Sequence, residues 1–140
     1  MATKQFIVKV FTPKGKVLEK STEFLHLPGK SGDIGVYFDH TPSLVECIEG
    51  EMALKTASHT HAFFLKDALV KIEKEEVVVI VNNLEPIENI DKKRAQLSKE
   101  RALTRIDKAR TDTAINLDRA KESLKRAEIR LDIIQKHHLN

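Results

Sequence analysis

The stretch EVVVIVNNLEPIENIDKKRA, residues 76–95, is where this chain changes from one kind of polymer to another. Val77-Val78-Val79-Ile80-Val81 is apolar at every position, the pattern of a strand covered on both faces. Pro86 then interrupts any regular continuation. Asn89 is placed to cap a helix that carries Asp91 favourably in its first turn. These signals predict a boundary at Leu84–Asn89, with a β part over residues 1–84 and a helical part over 85–140.

Upstream, all five glycines and all seven aromatic residues fall within the first 64 positions. Short apolar or alternating runs occupy Phe6–Phe11, Val17–Glu19, Phe24–Leu27, Ile34–Phe38, Leu44–Ile48, Met52–Leu54, His61–Leu65 and Ala68–Ile72. Turn residues separate them at Pro13-Lys14-Gly15, Pro28-Gly29-Lys30-Ser31-Gly32, Asp39-His40-Thr41-Pro42 and Glu49-Gly50. Many short strands at this spacing predict an antiparallel sandwich or barrel. Its core is modest for its length but sufficient to fold.

Downstream, residues 87–140 contain neither Gly nor Pro. Leu117, Ala120, Leu124, Ala127, Leu131 and Ile134 alternate at spacings of three and four, a heptad seam. Ala95, Ala102 and Ala109 recur every seven residues with Ile106 among them, and Thr111-Asp112-Thr113 is placed to cap a second helix. The expectation is an α+β chain: a β-sandwich, then two antiparallel helices joined by a short turn. An alanine seam buries little area, and at roughly 25 cal/mol per Å² it holds the hairpin weakly, as a switch requires.

The chain carries 24 basic and 21 acidic residues, net +3. Residues 1–84 are net −1 and residues 85–140 net +4, with all seven arginines in the second part. No apolar run reaches the roughly 20 residues of a membrane helix, and MATKQFIVKV reads as neither export nor transit signal. The single cysteine, Cys47, excludes an internal disulfide and sits in an apolar strand pattern as a structural thiol. His59 and His61 share a strand face, but two ligands make no metal site. Gly29-Lys30-Ser31-Gly32 lacks phosphate-loop spacing and a following helix. His40 reads as a loop hydrogen-bonder, and no catalytic constellation emerges. The helical part has no aromatics to interleave with bases, which argues against nucleic acid. Arg94 and Arg101 share one face of the first helix, and Arg126 and Arg130 one face of the second. Four guanidinia converging across a hairpin suit a polyphosphate, since each donates paired hydrogen bonds to phosphate oxygens.

With these residues in view the chain resembles the epsilon subunits of rotary F-type ATP synthases over nearly its whole length. The β part carries Val10-Phe11-Thr12-Pro13-Lys14-Gly15, Leu27-Pro28-Gly29, Gly32-Asp33-Ile34-Gly35-Val36 and His40-Thr41-Pro42-Ser43-Leu44. The helical part carries Ile90-Asp91-Lys92-Lys93-Arg94-Ala95, Lys99-Glu100-Arg101-Ala102 and Leu124-Lys125-Arg126-Ala127. Lys66-Asp67-Ala68 stands where the family commonly has Gly-Gly, and Glu73-Lys74-Glu75 replaces its usual Gly/Asn turn.

The resemblance implies a sandwich of about ten strands that binds the gamma subunit and rests on the ring of c subunits, with Asp33 and His40 at the ring. It implies a non-catalytic part of a rotor that couples proton or sodium flow to ATP synthesis, peripheral to a bacterial membrane on its cytoplasmic side. The hairpin is expected to inhibit hydrolysis when it extends toward the catalytic alpha/beta head; about 50 helical residues span about 75 Å. No cofactor is required. ATP is the expected regulatory ligand, at the motif Ile90 to Ala95: Glu85 and Asp91 near the adenine and ribose, and Arg94, Arg101, Arg126 and Arg130 at the phosphates. The competing reading is a free-standing cytosolic ATP sensor built on the same hairpin.

Overall fold

The structure, a computed structural model, describes residues 4–137. Ten strands come first: β1 (Phe6–Thr12), β2 (Gly15–Thr22), β3 (Phe24–Gly29), β4 (Gly32–Tyr37), β5 (Ser43–Cys47), β6 (Gly50–Lys55), β7 (Thr60–Leu65), β8 (Ala68–Ile72), β9 (Glu76–Ile80) and β10 (Leu84–Pro86). A 3-10 turn over Ile87–Asn89 leads into α1 (Lys92–Lys108) and α2 (Leu117–Lys136). The chain divides into two compact units between Ile87 and Glu88.

The first unit is one curled sheet in the order β10-β7-β6-β3-β5-β8-β9-β1-β2, with β4 bonded to β3 off this path. Every pairing is antiparallel except β1 with β9, which run parallel with Val8 opposite Val77 and Val10 opposite Val79. Alternation sets the inner face: Phe6, Val8 and Val10 of β1, Leu25 and Leu27 of β3, Met52 and Leu54 of β6, and Val70 and Ile72 of β8 are buried in one core.

Two expectations need correction here. The run Val77–Val81 is not covered on both faces. Val77, Val79 and Val81 are buried, but Ile80 is 56% exposed. A continuous apolar run reports two apolar faces without saying what covers the second. Leu84–Pro86 also forms a strand, with Leu84 opposite Leu65 and Pro86 opposite Phe63. Pro86 is tolerated there because β10 is an edge strand, where one side of the backbone has no ladder to serve.

In the second unit α1 and α2 pack against each other. Ala95, Ala102, Ala120 and Ala127 of the expected seam are buried, whereas Leu117 is 39% exposed. The caps lie further along than expected. Asp91, not Asn89, caps α1, its Oδ1 accepting from the Arg94 N–H at 3.1 Å. Asn116 caps α2 and accepts from the Arg119 N–H, while Asp112 accepts from the Ala114 N–H inside the turn.

Candidate functional site

The outer face of the sheet is the first feature with the chemistry of a partner surface. The ladders put Phe11 beside Ile80 and Ile80 beside Leu69 in one row, and Val78 in the next. Leu44 on β5 is 70% exposed, and Ile7, Ile48 and Leu69 are each more than a third exposed. At one end this strip sinks into a groove of about 740 Å³ floored by Phe11, Ile48, Leu69 and Ile80. Lys30 and Glu46 lie on its lining, 3.4 Å apart. An apolar strip of this kind on a small monomer marks an interaction surface more often than chance.

Asp33 and His40 do not form one patch. Asp33 lies at the start of β4 opposite Pro28, its side chain 78% exposed and 3.7 Å from the His26 Nε2. His40 follows the far end of the same strand, its Nδ1 2.7 Å from the Thr41 carbonyl oxygen. From Asp33 to the end of the strand at Tyr37 is about 13 Å at roughly 3.3 Å per residue, and His40 lies beyond that end. The loop hydrogen bond expected for His40 is present.

Among the other singled-out residues, Cys47 is buried and its thiol is pushed up to about 11 by that burial, which makes it inert as a nucleophile. His59 and His61 stack with parallel rings 6.1 Å apart, and the Lys20 Nζ lies 3.4 Å from the His61 Nε2. No group of three metal-ligating side chains occurs among the described residues. Gly29 to Gly32 is the turn between β3 and β4, with a strand and not a helix after it.

On the hairpin, Arg94 sits in the first turn of α1 and Arg101 two turns on, its Nη2 3.4 Å from the Ser98 Oγ. Arg126 donates to the Ser123 Oγ at 3.3 Å, and Arg130 lies one turn further along α2. Ile90 precedes the Asp91 cap, and Ala95 is buried. Glu85 lies on β10 opposite Phe64, in the other unit. Capping occupies one Asp91 oxygen and leaves the other for a second donor. The sequence reading did not single out Arg105 and Arg119. The i, i+4 spacing of Arg101 and Arg105 was the available signal for the first.

Both units match known sequences. Residues 5–87 match the beta-sandwich domain of the ATP synthase delta/epsilon chain, and residues 88–135 match its long alpha-helix domain. The chain belongs to the ATP synthase delta/epsilon family. It is 32% identical to the ATP synthase epsilon chain, sodium ion specific, of Propionigenium modestum, over 99% of this chain and 100% of that one. It is also 32% identical to the epsilon chain of Bacillus velezensis, over 90% and 94%. Its fold superposes on a chain of the Euglena gracilis mitochondrial ATP synthase with a TM-score of 0.78 at 14% identity, covering 91% of this chain and 80% of that one. The family's two named domains thus meet where the two compact units of this structure meet. No described helix is long and apolar enough to cross a membrane.

Proposed function

We propose that this chain is a non-catalytic central-stalk subunit of a rotary ATP synthase. Its sandwich docks on the gamma subunit and the c-ring, and its hairpin regulates hydrolysis by the alpha/beta head. Family membership supports the assembly, and attachment to the membrane then runs through the complex. The observation that carries the docking half is the exposed apolar strip around Ile80, Leu69 and Leu44, which a subunit working alone would keep polar. A free-standing cytosolic sensor has no use for that strip. Ile80→Asp should abolish co-purification with gamma while leaving the sheet folded, because the side chain already faces outward. Retained gamma binding by a folded Ile80→Asp, Leu69→Asp double variant would refute docking through this face.

The regulatory half proposes ATP as ligand, held by Arg94, Arg101, Arg126 and Arg130 at the phosphates and by Ile90, Asp91 and Ala95 at the nucleoside end. The donor set fits: guanidinia bind phosphate oxygens in pairs, and the Asp91 carboxylate accepts from an amino or hydroxyl group. A ligand that binds only the folded hairpin stabilises it by about 2.7 kcal/mol at a hundred times its Kd, enough to reset a weak alanine seam. Arg126→Ala should weaken ATP binding at least tenfold by calorimetric titration, with the unfolding of the β unit unchanged. Absence of heat at millimolar ATP would remove the sensor role and leave docking untouched.

A further inference from the structure

The turn end of the hairpin carries a second group of cations. Arg105 and Lys108 lie in the last turn of α1, and Arg119 in the first turn of α2. All three line one depression of about 590 Å³ together with Asn116, Ile115 and Asp112. A smaller depression of about 230 Å³ adjoins it, sharing Arg105 and Ala120 and adding Arg101 and the hydroxyl-bearing Ser98 and Ser123. Its floor is open because the seam residues Ala102 and Ala120 are small.

Asp107 and Asp118 neighbour this spot in sequence, but the lining itself is one-sided, with three cations against Asp112. None of the salt bridges found among the described residues involves Arg105, Lys108 or Arg119. Asp112, the one acidic residue on the lining, has its Oδ1 turned to the Ala114 N–H at 2.9 Å. Arg105 and Lys108 complement the negative end of α1, the ordinary place for a cation. Arg119 is different, because a cation in the first turn of a helix faces the positive end of its dipole. Three like charges around one hollow, one of them against a helix N-terminus, form a positive site that a multivalent anion would relieve.

We propose that the α1–α2 turn binds a compact phosphate-class oxyanion, held by Arg105, Lys108 and Arg119. Its three donors are distinct from the four arginines proposed for ATP, although one of those, Arg101, lines the adjoining depression, and the proposal does not depend on that reading. An anion there bridges the last turn of α1 and the first turn of α2, so it favours the closed hairpin from the end opposite Arg94 and Arg130. Phosphate suits the donors: two planar guanidinia give paired hydrogen bonds and the lysine a point charge.

The test is titration of the full chain with inorganic pyrophosphate at low ionic strength, followed by amide and arginine side-chain NMR shifts. Saturable shifts are expected at Arg105, Lys108 and Ile115–Arg119. Arg105→Gln and Arg119→Gln should each weaken binding at least fivefold, and Lys125→Gln, which removes a charge elsewhere on α2, less than twofold. All three side chains are exposed, so the variants should fold as the parent does. Repeating the titration with ATP present distinguishes free phosphate from a nucleotide's phosphate tail: turn shifts that persist at saturating ATP support a separate site. Displacement of pyrophosphate by ATP, equal weakening by Lys125→Gln, or no saturable shift up to about 10 mM pyrophosphate would each overturn the proposal.

Discussion

Asp67 turns the chain between β7 and β8 with φ at 53°, in the left-handed region that suits glycine. Aspartate adopts this backbone because its short side chain tolerates that region better than most. Asp67→Gly should therefore raise stability slightly, by about 0.5 kcal/mol, while Asp67→Val should lower it by about 1–2 kcal/mol. Urea midpoints decide, and a valine variant as stable as the parent would contradict the assigned backbone. Cys47 makes a pH-dependent contribution. Its folded thiol is pushed up to about 11 from an ordinary 9.0, so below pH 9 it is protonated in both states and its contribution is fully present. Above that the unfolded chain ionises first, and stability falls until the folded thiol also ionises, by about 3 kcal/mol in all. The difference in unfolding free energy between the parent and Cys47→Ala should shrink by most of that amount between about pH 8.5 and about pH 11. A constant difference would mean that the thiol is not desolvated.

At the scale of elements, β10 is the part that sequence patterning hid. Its three residues include a proline and no alternation, so nothing local marks them as a strand. They become one because Phe63–Leu65 on β7 offers an open edge at the right place. A chain ending at Asn83 should be less stable than one ending at Ile87 by about 1–3 kcal/mol, from lost ladder bonds and uncovered β7 surface. Equal unfolding midpoints for the two would show that β10 adds nothing. The helices were legible by contrast, because a period near 3.6 over many residues has no other cause. Their starts were not. Asn89, Asp91 and Asn116 are all competent caps, and only the backbone path selects among them.

For the whole molecule, the two family domains, the two compact units and the change of composition all divide the chain at nearly the same place. Residues 4–87 should therefore fold alone and keep their thermal transition when the hairpin is removed, as scanning calorimetry would show. A fragment that failed to fold would mean that the sandwich depends on the helices for its core.

The sequence by itself determined that division, the strand-rich first part, the alanine seam and the family, because each is written in composition, short-range period or motif order. What only the tertiary structure decided was which apolar residues stay outside and which distant residues become neighbours. Ile80 and Val79 are adjacent and both apolar, yet one faces outward and the other the core. Asp33 and His40 are seven positions apart but lie toward opposite ends of one strand, while Arg105 and Arg119, fourteen apart, line a single hollow. Strand direction and helix reversal set those distances, and both arise from long-range pairing that no local window of sequence contains.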